Sequence, residues 1–161
     1  MILITHALIG AAAASPFGAA HPVIAFLIGY ASHLLADAIP HWDYQLLSLG
    51  DQEKSDDFRW AFKSAAFRKD VIRIVLDFSA GIGLVLLVRP EPSLSLLSAV
   101  LGGIAPDALQ GIYFTRYAPF LKSLQKMHDS FHTEMKLGPY PLIGIPFQTF
   151  IALTAIWILI Q

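Results

Sequence analysis

Residues 32–44 read SHLLADAIPHWDY. His33, Asp37 and His41 are spaced i, i+4, i+8, and Asp43 follows two residues later. The stretch that holds the first of them, PVIAFLIGYASHLLADAIP (22–40), is otherwise apolar and is bounded by Pro22 and Pro40. Residues four apart share one helix face. A histidine and a carboxylate on one apolar face are each costly to bury alone, so that face must meet partners. Finding those partners decides how the rest of the chain is read.

Composition sets the medium. The chain has 161 residues, 55% hydrophobic and 14% charged, against about 25% charged in soluble domains. So apolar and short a chain has too little polar surface to cover a water-soluble globule. We expect one all-α domain over 1–161, embedded in a membrane as a bundle of about five helices. The net charge of −1 gives no argument for a nucleic-acid partner. Cysteine is absent, which excludes disulfides and leaves nitrogen and oxygen as the only metal ligands.

Five stretches approach the roughly 20 apolar residues of a membrane helix: 2–20, 22–40, 71–88, 93–114 and 141–160. Only the last is free of ionisable groups. The first lacks the basic leader of a signal peptide and has His6 where an apolar core belongs, so it reads as a membrane helix. Pro90 and Pro92 separate the third from the fourth. Two polar connections remain. In 44–70, Phe58, Phe62, Ala65, Ala66 and Phe67 recur at helical spacing among basic residues. In 115–136, Tyr117, Phe120, Leu121, Leu124 and Met127 do the same. Both suit helices lying at the membrane surface, or ordinary partly buried helices. Ten of the eleven Lys and Arg fall in or within a turn of these two connections, Arg89 being the exception. Positive residues favour the cytoplasm. The N-terminus is expected inside and the C-terminus outside.

That topology places the ionisable residues at one depth. His6 begins span one, His33 and Asp37 end span two, Asp77 begins span three, and Asp107 ends span four. At about 1.5 Å per residue each lies within roughly 10 Å of the cytoplasmic boundary. His128 and His132, in HDSFH, sit in the connection on the same side. Ionisable groups inside a membrane face the bundle interior, paired or functional. Imidazole and carboxylate are ligands for zinc and other divalent ions. The expected metal ligands are His6, His33, Asp37, Asp77, Asp107, His128 and His132, holding one to three ions, zinc the first choice. Asp107 follows Pro106 and is equally readable as a helix cap. His41 and Asp43 lie just outside the span, where capping competes with ligation.

A divalent ion so placed suits hydrolysis by activated water. No GxSxG elbow and no cysteine offers a rival nucleophile. Asp37 or Asp107, whichever does not ligate, is the expected general base. The depth favours a lipid or lipid-like phosphoester. A different class stays open: a non-catalytic small membrane protein whose polar layer is a structural ion site or hydrogen-bond network, a subunit of an assembly among its possible roles. A transporter fits less well, because the polar residues stop at one leaflet.

The residues THALIG (5–10), PHWD (40–43), the Pro106-Asp107 pair and HDSFH (128–132) resemble the membrane-bound, metal-dependent hydrolase family. Asp129 and Phe131 stand where that family usually has arginine and threonine in its two-histidine motif, and the spacing is one residue shorter. SHLLAD (32–37) is more distantly similar to the zinc-binding HxxxD of zinc-dependent phospholipase C. The resemblance implies a metal-dependent hydrolase.

Overall fold

The computed structural model describes residues 1–17, 21–48, 64–115 and 119–161. Among these the chain is helical: α1 (Leu3–Ala14), α2 (Pro22–Asp37), α3 (Ala65–Val88), α4 (Leu94–Thr115), α5 (Lys122–Phe131) and α6 (Pro141–Ile160). Short 3₁₀ turns follow α1 at Ser15–Phe17 and precede α5 at Pro119–Leu121. The described residues contain no strand, only an isolated bridge between His41 and Lys136.

Local chemistry sets the helix ends. Ser64 Oγ accepts from Phe67 N at 3.0 Å and opens α3, and Ser93 Oγ accepts from Leu96 N at 3.1 Å and opens α4. A hydroxyl there satisfies one of the amides that a helix start leaves unpaired. Pro22 and Pro141 occupy first helical positions, where no amide proton is needed. Pro40 restricts Ile39 to extended backbone, and α2 stops at Asp37.

Three helices, α3, α4 and α6, are long and apolar enough to cross a membrane. The first two expected spans form shorter apolar helices. The 12 residues of α1 cover about 18 Å at about 1.5 Å per residue. Ser15-Pro16 ends that helix early, as its position inside the stretch allows. In the connection 44–70, Phe58 and Phe62 lie outside the described residues. Ala65, Ala66 and Phe67 form the first turn of α3 and not a separate surface helix. In 115–136, Tyr117 lies outside the described residues. The helix expected there is α5, but its buried side is Gln125 and His128. Leu121, just before it, is buried as well, whereas Phe120, Leu124 and Met127 are exposed.

α1 runs through the middle of the bundle and touches α2, α3, α4 and α6. A helix apolar on every side belongs there. Leu3, Ala7, Leu8 and Ala11 pack with Val85 of α3, Val100 and Ile104 of α4, and Leu159 of α6. The outer faces of α3 and α6 are apolar and uncovered, with Leu76, Leu87, Leu142 and Phe150 all more than 60% exposed. A patch of that extent marks a surface meeting lipid or another apolar partner.

Contact among α1, α2 and α4 is backbone on backbone. A Cβ built on Gly29 would fall 2.1 Å from Ala99 O, and one on Gly102 would fall 2.1 Å from Phe26 O. One on Gly103 would fall 2.6 Å from His6 O. Glycine lets these helices approach until main chains touch, as small residues do in packed membrane helices. Gly29→Val or Gly102→Val must push two backbones apart. We expect each to cost about 3 kcal/mol, the upper end of overpacking. Thermal unfolding in detergent measures the loss, and an unchanged midpoint for both would contradict this packing.

Candidate metal centre

The close approach of three helices brings their polar side chains together at one end. His6 comes from α1, His33 and Asp37 from α2, and Asp107 from α4. His128 comes from α5 and His132 is its C-terminal cap. Thr133 N donates to Asp37 O at 3.0 Å, and Leu137 N to His41 O at 3.1 Å. These main-chain bonds fasten the segment after α5 to the segment after α2.

Asp37 is the hub, and it is fully buried. Its Oδ2 lies 3.0 Å from His33 Nε2, 3.0 Å from His128 Nε2 and 3.4 Å from His132 Nε2. Its Oδ1 lies 3.2 Å from His6 Nε2 and 4.0 Å from His41 Nε2. Asp107 approaches from the other side. Its Oδ1 is 3.6 Å from His33 Nε2 and 3.8 Å from His128 Nε2, and its Oδ2 is 3.9 Å from His6 Nε2. The His6 and His33 rings stack at 3.7 Å. All five imidazoles turn the same ring nitrogen toward carboxylate oxygen.

Two of those rings have a fixed tautomer. His33 Nδ1 lies 2.7 Å from Gly103 O, and His41 Nδ1 lies 2.7 Å from Ile39 O. A carbonyl only accepts, so each Nδ1 carries a hydrogen. In the neutral ring Nε2 is then a bare lone pair. Metal-ligating histidines are oriented by this kind of bond from the other ring nitrogen. Pro106, inside α4, has no amide proton to donate to Gly102 O four residues back, so the helix lacks one rung beside Gly103.

The lone pair of His33 Nε2 faces carboxylate oxygen, lone pair against lone pair. A hydrogen from His128 Nε2, 3.1 Å from His33 Nε2 and 3.0 Å from Asp37 Oδ2, relieves one of these contacts, and a cation shared among them relieves all. A proton could serve one ring, but His33 and His128 Nε2 are 3.1 Å apart, and adjacent imidazolium ions repel. Several buried ring nitrogens also lack any hydrogen-bond partner among the described residues: both of His6, Nε2 of His41, and Nδ1 of His128 and of His132. Burial holds the His132 imidazole down to about 4. It is therefore neutral near pH 7 and free to ligate. The donor atoms of three overlapping sets lie within 4.8 Å of one another: His6, His33 and Asp37; His33, Asp107 and His128; Asp37, His128 and His132. Each could hold a metal ion.

Six of the seven expected ligands therefore share one cluster, and Asp77 does not join it. Its Oδ2 accepts from Leu3 N at 2.8 Å and its Oδ1 from Ile4 N at 3.0 Å. Tyr44 OH donates to Oδ2 at 3.3 Å. The carboxylate caps α1 from another helix, satisfying two unpaired amides and facing the positive end of the helix dipole. Asp107 lies within α4, one residue after its internal proline, and is not a helix cap. Asp70, which the sequence reading did not single out, holds the segment after α2. It is fully buried and accepts from Leu47 N at 3.0 Å and Ser48 N at 2.7 Å. No spacing in the sequence pointed to that role.

No protein-family model matches the chain, and neither curated proteins nor solved structures give a significant match. Interpretation rests on the geometry.

The two roles of buried aspartate separate by substitution. Asp77→Ala leaves two amides at the start of α1 without an acceptor. We expect a cost of about 2 kcal/mol, the usual worth of hydrogen bonds to a charged group, with metal affinity unchanged. Thermal unfolding and metal titration of the same sample measure both. Loss of metal binding in Asp77→Ala would return that residue to the centre.

Proposed function

We propose that this chain is a membrane-embedded, metal-dependent hydrolase of a phosphate ester, with a phospholipid-like substrate and zinc or another divalent ion as cofactor. One observation carries the reading: a fully buried Asp37 carboxylate is ringed by imidazole Nε2 atoms, and the best fixed of them, His33, aims a lone pair at it. Histidine with carboxylate is the donor set of catalytic zinc sites.

A divalent ion in this cluster would lower the pKa of a bound water to about 7 and polarise a phosphoryl oxygen. The chain's own groups divide the remaining work. Asp37, enclosed by rings, is the ligand that fixes the ion. Asp107 has a side chain 24% exposed and the longer contacts, so it is the carboxylate able to take a proton from water. His132, 21% exposed at the side chain, and Asp43 stand at the open edge where substrate enters.

The membrane setting supports a lipid over a water-soluble ester. In this reading α3, α4 and α6 cross the bilayer, α1 and α2 complete the five-helix bundle, and the cluster lies near the cytoplasmic headgroups. The N-terminus is inside and the C-terminus outside. α5 and the turn before it lie along the interface, with Phe120, Leu124, Met127 and Phe131 exposed on a segment that also carries Lys122 and Lys126, as interfacial helices do. An apolar cavity of about 310 Å³ opens between α1, α3 and α6, lined by Leu8, Leu84, Leu153 and Ile156. Thr5 and Trp42 also line it, and they are sequence neighbours of His6, His41 and Asp43.

Purified protein is expected to carry divalent metal, and a chelator should strip it and lower the unfolding midpoint. His33→Ala with Asp37→Asn should weaken binding by more than the about 10–100-fold that losing a mere outer partner costs. Wild type that purifies without metal, with a midpoint unmoved by chelator or added metal but lowered in that double variant, would leave only a hydrogen-bond network. Asp107→Asn should keep metal but lose about 10²–10⁴-fold in phosphoester turnover, the usual share of a general base. Full activity in that variant would remove Asp107 from the chemistry.

A further inference from the structure

Resting on the metal-centre reading, we propose that the cluster holds two divalent cations, with Asp37 bridging them and His41 and Asp43 completing the second position. The imidazoles sort by the oxygen they face. His33, His128 and His132 gather at Asp37 Oδ2. His6 and His41 gather at Oδ1. Asp107 repeats the division, with Oδ1 toward His33 and His128 and Oδ2 toward His6. Two groups of nitrogen donors on opposite oxygens of Asp37 suit two ions on one bridging carboxylate, with Asp107 beside both at the longer distances of a base. Paired ions in hydrolytic sites stand about 4 Å apart, a spacing that one bridging carboxylate spans.

The second position is argued from His41. The ring is 2% exposed. Its Nδ1–H is committed to Ile39 O at 2.7 Å. Its Nε2 has no hydrogen-bond partner among the described residues, although Asp43 Oδ2 lies 2.9 Å away. A buried lone pair so close to a carboxylate is repelled by it, unless a cation accepts from both. His6, fully buried with neither nitrogen hydrogen-bonded, faces the same side. The Met1 amino nitrogen lies 2.8 Å from Asp43 Oδ1 and 3.4 Å from Asp37 Oδ1, and a second cation would take these carboxylate contacts over from it. Two ions would also suit the chemistry, since a pair stabilises both the attacking and the leaving oxygen of a phosphoester.

The test uses Mn²⁺ on the full chain in detergent. Equilibrium dialysis counts the ions, and electron paramagnetic resonance distinguishes isolated from coupled Mn²⁺. Wild type should bind two ions per chain with a broadened, coupled signal. His41→Gln and Asp43→Asn should each bind one, with the six-line signal of an isolated ion and a retained-site affinity within a few-fold of wild type. Asp43 is 41% exposed at its side chain, so its variant keeps the test valid if His41→Gln fails to fold. One ion in wild type, unchanged by either variant, would overturn the second position and leave the single centre standing. Asp43 would then serve only to pair with the amino group. No ion in wild type would overturn both readings.

Discussion

A carboxylate buried among apolar helices is the constraint around which this protein is arranged. Taking an ion out of water costs several kcal/mol even after the protein relaxes. Asp37 is fully enclosed, and no lysine or arginine is paired with it among the described residues. Its charged neighbour is the Met1 amino group, 3.4 Å from Oδ1, and the rest are neutral-capable rings from α1, α2 and α5. Such an arrangement is poor as a structural ion pair, because imidazole competes weakly for charge and several rings crowd each other. It is a good arrangement for holding a cation that all the donors share. The feature that makes the site costly is the same one that would let it hold a metal ion.

The glycine contacts and the polar cluster are one device. Gly103 touches the main chain of His6 across the α1–α4 contact, and its carbonyl orients His33. A larger residue there would separate α1 from α4 and move the acceptor that sets the His33 tautomer. Packing precision is transmitted to the ligand through one residue. On the other side of α1, Gln148 takes Trp42 N at 3.1 Å and gives to Thr5 Oγ1 at 3.1 Å. This ties α6 to the segment that carries His41 and Asp43. The centre is held from both flanks by hydrogen bonds within a bundle that is otherwise apolar.

Much of the cluster was legible because helical spacing is a strong geometric statement. His33 and Asp37 had to share a face, and a low charge content made every buried ionisable residue conspicuous. Depth was the second clue, since alternating helices return to the same side. Asp77 obeys both rules and yet joins a helix terminus. Sequence cannot separate the two fates, because an aspartate at that depth satisfies unpaired amides as well as it satisfies a cation. Helix length was overread in the first stretch, where apolar composition continued past Ser15-Pro16 although regular helix did not. The amphipathic pattern of α5 was visible, but its sense was not. The polar side faces the centre, with Gln125 and His128 inward, and of the apolar stripe Leu121 alone is buried among the described residues.

Exposure grades across the cluster in a way that bears on how it works. His6, His33 and Asp37 are enclosed, whereas Asp107, His132 and Asp43 reach the edge. Electrostatic interactions strengthen as water is excluded, so the enclosed donors would hold an ion most firmly. The edge groups keep enough contact with solvent to exchange protons. A purely structural ion site gains nothing from such a gradient and is better closed on all sides, as structural zinc sites are. Catalysis needs an open position next to rigid ligands, together with a base that can reload from water. The gradient from Asp37 to Asp107 puts an enclosed carboxylate and an edge carboxylate within one cluster, an arrangement more open than a closed structural site.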